Sequence, residues 1–329
     1  MFSLFLAFAT VGTAISQTPD KKTAPPDSTK TPKDTASRDT VPPNIPLSAH
    51  GSISNRFKPY RTITKRDLLT LHYTGFADVL SASLPAYPLS LGSEGQLNSI
   101  SLFGGARSGL ALQFNGRQIS QPDFGYTNPE MIAPEFLESA EVFVGSSAAI
   151  LSDNASNALV NIKEIKYNTS RPYTRLWYAQ GDYDYVAADG VFSQNFAKNW
   201  NYTFGFRRIG NTGRFKGNQM DAWNVRSLLR WNTSPSTNFS LVHVFTNHGT
   251  QENGGVNRAL SSKLGDNLSA VPMYNCFEDR VFRHDLTLSM TSLIAGDSSN
   301  IFSATAYFSH TENERNYPEI VFAKQSDTI

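Results

Sequence analysis

Three groups of residues in this chain have the types that chemistry needs: a glycine-rich hexapeptide, a carboxylate cluster and six scattered histidines. Gly104-Gly-Ala-Arg-Ser-Gly109 has the look of a phosphate-cradling loop, but it lacks the Gly-Lys-Ser/Thr ending and no helical pattern follows it. Ser108 directly precedes Gly109, so the segment is not a Gly-x-Ser-x-Gly nucleophile elbow either. It reads as a tight turn between two strands, with Arg107 and Ser108 at its tip, where the guanidinium could meet an anionic substrate. Glu135, Glu138 and Glu141 lie close together, and paired carboxylates can do acid–base work. His50, His72, His243, His248, His284 and His310 include no pair at the i, i+4 spacing of a helical zinc site, and His243 and His248 are placed astride a strand end. Asp182 and Asp184 flank Tyr183 in what reads as a turn. The single cysteine, Cys276, excludes an internal disulfide and a cysteine-based zinc site. No metal site, cofactor site or catalytic constellation emerges, and the chain is not expected to be an enzyme.

The elements around these residues fall into four stretches of different chemistry. Residues 1–17 hold an apolar run, Phe2 to Val11, too short to span a bilayer as a helix, followed by a small-x-small pattern at Ala14-Ile-Ser16. This predicts a signal peptide, although no basic residue precedes the run. Residues 18–50 are dominated by Pro, Thr, Asp, Lys and Ser, which cannot bury enough apolar surface to order themselves, so a disordered linker is expected. Residues 51–167 read as a small α+β unit. It has a strand at Tyr60–Thr64 and a helix from Lys65 to Leu80, capped by Thr64 and weakened at Gly75. Strands at Ser99–Phe103, Leu110–Phe114 and Ala140–Val144 follow, with a helical turn at Pro134–Glu138 before the last.

From residue 168 the pattern becomes repetitive. Seven strands are predicted, near Thr174–Gln180, Tyr185–Phe196, Trp200–Ile209, Ala222–Trp231, Asn238–Asn247, Val281–Leu293 and Ile301–His310, with another loop from Thr311 to Asp327. Alternation is cleanest where Tyr202, Phe204 and Phe206 oppose Thr203, Gly205 and Arg207, and where Trp223, Val225, Leu229 and Trp231 oppose Asn224, Arg226 and Arg230. Short connections (197–199, 232–237, 296–300) alternate with longer ones (211–221, 248–280), as in outer-membrane barrels. Arginines on the face opposite the aromatics favour a wet lumen over the dry core of a sandwich. Aromatics at 12% with mean hydropathy of −0.33 suit strands that alternate lipid-facing and polar residues. A formal net charge of +1 gives no field to attract nucleic acid.

The order of four short blocks then carries a resemblance. Asp78-Val-Leu80, Ile100-Ser-Leu-Phe-Gly104, Leu112-Gln-Phe-Asn-Gly-Arg117 and Ala140-Glu-Val-Phe-Val-Gly145 resemble the plug domain of TonB-dependent receptors, over about Tyr60 to Tyr167. In that family an Asp-Val-Leu helix end leads to Ile-x-Ile-Arg-Gly, Val-Leu-Ile-Asp-Gly and Ile-Glu-Val-x-Arg-Gly-Pro strands, then a small-residue turn and Gly-Gly-Val-Ile-Asn-Ile. Here Phe103 and Val144 stand where the family has arginine, Asn115 replaces the Asp before Gly116, and Asn157-Ala-Leu-Val-Asn-Ile162 lacks the two glycines. Asp78, Gly104, Asn115, Gly116, Glu141 and Gly145 are the positions carried over, with Ser146–Leu151 as the small-residue turn. The resemblance implies a divergent member: an α+β plug domain inside an antiparallel transmembrane β-barrel of which about seven strands are present. It implies a plug-to-barrel contact at Glu141. It also implies that the loop Gln121–Thr127, with Asp123, Phe124 and Tyr126, faces the extracellular mouth beside Arg107 and Ser108. The periplasmic N-terminus would offer a segment to TonB by strand addition, for which Asp39, Thr40 and Val41 are the candidates.

The expected function is therefore TonB-energised import across the bacterial outer membrane of a scarce small molecule or glycan, such as an iron chelate or cobalamin. Its expected surroundings are outer-membrane lipid. The alternative is a structural or adhesion barrel with a vestigial plug. Because plugged barrels use about 22 strands, the sequence also reads as a fragment.

Overall fold

The computed structural model describes residues 57–89, 99–119, 128–169, 171–261, 270–273, 277–296 and 300–316. The expected signal peptide, the linker with Asp39, Thr40 and Val41, the loop residues Asp123, Phe124 and Tyr126, and Cys276 lie outside the described residues.

The N-terminal domain begins with β1 (Arg61–Thr64), which passes directly into the one-turn helix α1 (Lys65–Leu68). The Thr64 backbone N–H and hydroxyl both donate to the Asp67 carboxylate, at 2.7 and 2.8 Å. The single helix predicted from Lys65 to Leu80 is not formed. The chain leaves the helix after Leu68 and re-enters it as α2 (Phe76–Ser83), with Gly75 extended as its cap (φ −138°, ψ 178°). The cause is local. The Asp78 carboxylate accepts from the Thr74 N–H at 2.9 Å, the Thr74 hydroxyl at 2.8 Å and the Gly75 N–H at 3.2 Å, which ties the turn to a new helix start. Glycine weakens a helix interior, and an acid in the first turn favours an N-terminus there. Leu69, inside the span predicted as one long helix, is 80% exposed.

The chain continues as β2 (Ala86–Leu89) and β3 (Ser99–Leu102), which form a two-stranded ribbon, then β4 (Leu110–Phe114), β5 (Arg117–Ile119) and β6 (Leu137–Val144). A short helix, α3 (Ser146–Leu151), follows Gly145 (φ +64°) where the sequence suggested only a turn, and β7 (Ala158–Glu164) ends the domain. The main sheet has the order β1-β6-β7-β4-β5, with β4 parallel to β7. One face of this sheet packs on α2, burying Ile63, Phe76, Leu80, Leu112, Val142 and Val160 in a common core.

The second region is a meander of seven strands: β8 (Tyr173–Gln180), β9 (Val186–Ala197), β10 (Trp200–Asn211), β11 (Met220–Ser234), β12 (Thr237–Glu252), β13 (Phe277–Leu293) and β14 (Ile301–Asn316). Each pairs antiparallel with its neighbours in chain order, giving an open sheet with β8 and β14 at its edges. All seven predicted strands are present and most run longer than predicted. Two expectations are corrected by that length. His243 and His248 both lie inside β12 rather than astride its end. The loop predicted to begin at Thr311 starts as strand, because β14 continues to Asn316 in register with Glu278.

The faces of this sheet differ in kind. Asn201, Thr203, Arg207, Asn224, Arg226, Arg230, Ser240 and Asp285 point toward the N-terminal domain and are buried by it. The opposite face carries Tyr202, Phe204, Phe206, Val225, Leu229, Leu241 and Leu286. At the short-turn end it has a row of rings: Trp200 stacks on Trp231 at 5.1 Å, and Trp231 on Phe239 at 5.8 Å. At the other end Trp223 lies under the Arg208 guanidinium, and Phe282 near that of Arg280. From Trp223 to Trp231 is roughly 27 Å of strand at ~3.4 Å per residue. At the tilt of barrel strands this gives an apolar band approaching the ~25 Å of outer-membrane proteins, flanked by aromatics as they are.

Candidate functional site

The functional geometry lies where the N-terminal domain meets the polar face of the sheet. Burying a guanidinium is costly unless an opposite charge lies against it. Each inward arginine is therefore a demand for a partner, and the N-terminal domain supplies most of them. Glu164, the last residue of β7, pairs with Arg226 at 3.1 Å, with both side chains under 10% exposed. The same guanidinium lies over the rings of Phe114 and Phe136, at 4.5 and 5.0 Å to their centroids. Glu135 pairs with Arg207 at 3.1 Å. Burial raises the Glu135 carboxyl above its ordinary value, and the Arg207 charge pulls against that rise. The third pair has the opposite polarity. Arg117 of β5 reaches Asp285 of β13 through two nitrogens, at 3.0 and 3.2 Å. Asp285 is held in turn by Arg283 at 2.9 Å and by the Ser309 hydroxyl at 2.6 Å. At the end of the domain Arg230 donates to the backbone carbonyl of Tyr167, and Tyr167 stacks on Tyr173 at the start of β8.

Turn chemistry sets the position of these groups. Asn115 and Gly116 both take positive φ (+50° and +79°) between β4 and β5, which turns Arg117 back toward the sheet. The Asn115 side-chain oxygen accepts from the Glu164 N–H at 3.0 Å, and the Gly116 N–H donates to Asn161 at 2.9 Å. The residue that stands where the family has Asp thus fixes the carboxylate that receives Arg226. Gly205 leaves room on β10 for the Phe136 ring; a Cβ there would come within 2.3 Å of it.

Not every sequence assignment survives at this junction. Glu141, expected to bridge to the barrel, stays within its own domain, bound to Lys163 at 2.6 Å and to the Asn161 amide at 3.1 Å. Its place in β6, opposite Asn161 of β7, puts it among its own strands rather than at the wall. Of the other two glutamates in that cluster, Glu135 makes the bridge and Glu138 is exposed. Arg107 and Ser108 form a single exposed 3-10 turn, as the turn reading required, with Arg107 donating to the Ser99 hydroxyl at 3.0 Å. That turn lies at the start of β4, whereas Phe114 at the other end meets the sheet. Glu164, Arg117 and Asp285 were not singled out from sequence. The signal that could have found them is the presence of Arg226 and Arg230 on one inward face, which demands buried counter-charge from the N-terminal domain.

Two family models match the chain. One, described as "Putative porin", matches residues 143–312. The other, described as "TonB-dependent Receptor Plug Domain", matches residues 55–159. A search of curated proteins gave no match. Among solved structures, the siderophore receptor PirA from Acinetobacter baumannii aligns with a TM-score of 0.59 at 16% identity, covering 77% of this chain and 40% of that one. The copper transporter OprC aligns at 0.60 and 14% identity, covering 77% and 37%. FpvA of P. aeruginosa, bound to a heterologous pyoverdine, aligns at 0.63 and 11% identity, covering 79% and 34%. At these identities the likeness is one of fold. The chain spans 34–40% of the length of these three structures.

Proposed function

From a chain that belongs to the "Putative porin" family, and is a divergent outer-membrane protein of the TonB-dependent receptor type, we infer a role in energised import, with the N-terminal domain as a plug that closes the lumen. The observation that carries this reading is the seal. Three buried ion pairs, Glu135–Arg207, Glu164–Arg226 and Arg117–Asp285, join the plug to the polar face of the sheet. A vestigial plug would have no reason to keep charges matched across a buried interface, since unmatched charge there costs several kcal/mol.

Energy would reach the plug through a partner of the TonB kind, binding the N-terminal segment by strand addition, with Asp39, Thr40 and Val41 as the proposed contact. The proposed substrate contacts are Arg107, Ser108, Asp123, Phe124 and Tyr126. The structures it aligns with include siderophore receptors and a copper transporter, which supports a scarce metal chelate as a first class to test, with cobalamin and glycans after it. The experiment is uptake by cells carrying the full-length protein, with and without a protonophore. Uptake that stops on de-energisation, and on deletion of residues 18–50 with membrane insertion intact, is the expected result. Uptake that persists in de-energised cells would overturn energised import in favour of a diffusive pore, and no uptake at all would favour a structural barrel.

A further inference from the structure

The lipid-facing side of the sheet carries a polar row that contact with hydrocarbon does not explain. Ser227 of β11 stands opposite His243 of β12, and His284 of β13 stands opposite His310 of β14. The two halves join on a diagonal, where His243 Nε2 and His284 Nδ1 are 3.3 Å apart. The Tyr202 hydroxyl lies 3.4 Å from that of Ser227 and extends the row into β10. Cross-strand partners share a face. His243 faces out with Leu286, and His284 with Phe245, in the register of β12 and β13. His284 and His310 are exposed.

The row crosses the middle of the apolar band. Ser227 is four residues from Trp223 and four from Trp231, and His243 is four from Phe239. Four residues are roughly 14 Å of strand, which keeps lipid headgroups at either ring of aromatics away from these side chains. A polar group without a partner is costly in hydrocarbon, and an ionisable one there marks a functional site by default. A neutral imidazole has one donor and one acceptor nitrogen. The bond between His243 and His284 uses one nitrogen of each ring, so among the described residues their other nitrogens, and both of His310, are open to a partner. Beside the row β14 turns two small residues outward, Ala304 and Ala306, opposite Met290 and Leu288.

We propose that the outer face of β11 to β14 is a two-fold contact between two copies of this protein in the membrane, with the histidine row of one laid against that of the other. Within lipid, apolar side chains gain little by meeting each other. Association there rests on small residues that allow close approach and on hydrogen bonds across the contact, and this face has both. A two-fold contact sets one patch against itself. A row of lysines or carboxylates would repel its own copy, whereas imidazole, donor and acceptor at once, is its own complement. Four strands ~4.8 Å apart and roughly 27 Å long present about 500 Å² per copy, so the pair reaches the ~1,000 Å² that a specific interface needs. The proposal rests on the barrel and not on energised import.

The test is self-association of the full-length protein in detergent micelles, by sedimentation equilibrium, where a monomer–dimer equilibrium is expected. His284→Leu removes its contact twice across the axis and should weaken the dimer about tenfold. His310→Leu should act in the same direction. Ala306→Trp leaves every histidine in place and should abolish the dimer by holding the faces apart. Phe192→Leu, on the outer face of β9 away from the row, should leave it unchanged. Leucine suits a lipid face, so the histidine variants should refold into vesicles at least as well as the parent, and loss of the dimer is then not loss of the fold. A monomer at every concentration, or a dimer that neither His284→Leu nor Ala306→Trp weakens, would overturn the proposal. A dimer dissolved by EDTA would overturn it too, because a bridging metal would then hold the copies together. Cross-linking in native membranes to a different protein alone would replace the second copy by that partner. Association is read without any uptake, so a failure of the import reading leaves the dimer standing, and a monomer leaves import untouched.

Discussion

The two faces of the seven-stranded sheet are made by the same strands, alternate residue by alternate residue, and yet they are held in place by different physics. On the face toward lipid, residues such as Phe204, Val225, Leu229 and Leu241 need no partner; depth in the bilayer sets their cost or gain. On the face toward the plug, Arg207, Arg226 and Asp285 are worth having only because particular groups on another domain meet them. The outer face is specified by composition and the inner face by pairing. One exception crosses the line. His243 and His284 sit on the lipid face, and their rings are hydrogen-bonded to each other at 3.3 Å with centroids 5.6 Å apart. Subtracting the ring radii from that separation leaves the nitrogens pointing at one another in nearly one plane. That is an imidazole–imidazole hydrogen bond rather than the bent approach of two ligands to a metal.

This contrast can be broken most strongly from the inside. Arg226→Ala leaves Glu164 buried without its counter-charge and removes two cation–π contacts. It should loosen the plug by about 3–5 kcal/mol, the usual cost of removing one partner from a buried pair. Faster proteolytic clipping of the plug in an otherwise folded barrel is the readout. Adding Glu164→Gln should recover part of the loss, and full additivity would show that the pair is not a unit. From the outside, Leu229→Arg places a charge on the lipid face and should cost about 2–4 kcal/mol of barrel stability, as measured by refolding into vesicles. The plug should be untouched by it. A comparable loss from Leu229→Lys would confirm depth as the cause, because a composition rule has no preferred geometry. A null effect from either would mean this face meets something other than hydrocarbon.

The smallest effect sharpens the contrast through pH. Lys166, just past β7, has its ammonium pulled down to about 8 from 10.5, chiefly by burial and against the attraction of Glu164. A base depressed in the folded state binds its proton less tightly there than when unfolded. Between about pH 8 and 10.5 the unfolded chain therefore holds more protons, and stability rises with pH across that window. Plug stability should increase from pH 8 toward 10, and Lys166→Met should flatten that slope while leaving the barrel transition where it was.

The same distinction explains what could be read from the sequence. Period-two alternation gave all seven strands, because each lipid-facing residue reports its face by its own chemistry. The tight turn at Arg107 and Ser108 was legible for a similar reason: it is a local conformational requirement. The long helix failed at Gly75, where Thr74 and Asp78 outcompete the apolar periodicity. The junction was only half legible. Inward arginines were visible, but which carboxylate met each depended on register between distant strands. Glu141 was assigned to the wall although Lys163, its partner in the adjoining strand, lies 22 positions away in the chain. Glu164, beside Asn115 in space and 49 positions from it in sequence, was passed over.

The passage from β7 into β8 has one more consequence. Only residues 165–172 separate the last strand of the plug from the first strand of the wall, and Arg230 grips Tyr167 within them. The stopper is therefore on a leash. However far its front is drawn out, its back end cannot drift from the rim, and the vacated lumen sees it at an effective concentration on the order of millimolar. Resealing is then an intramolecular event, independent of how many copies the cell makes.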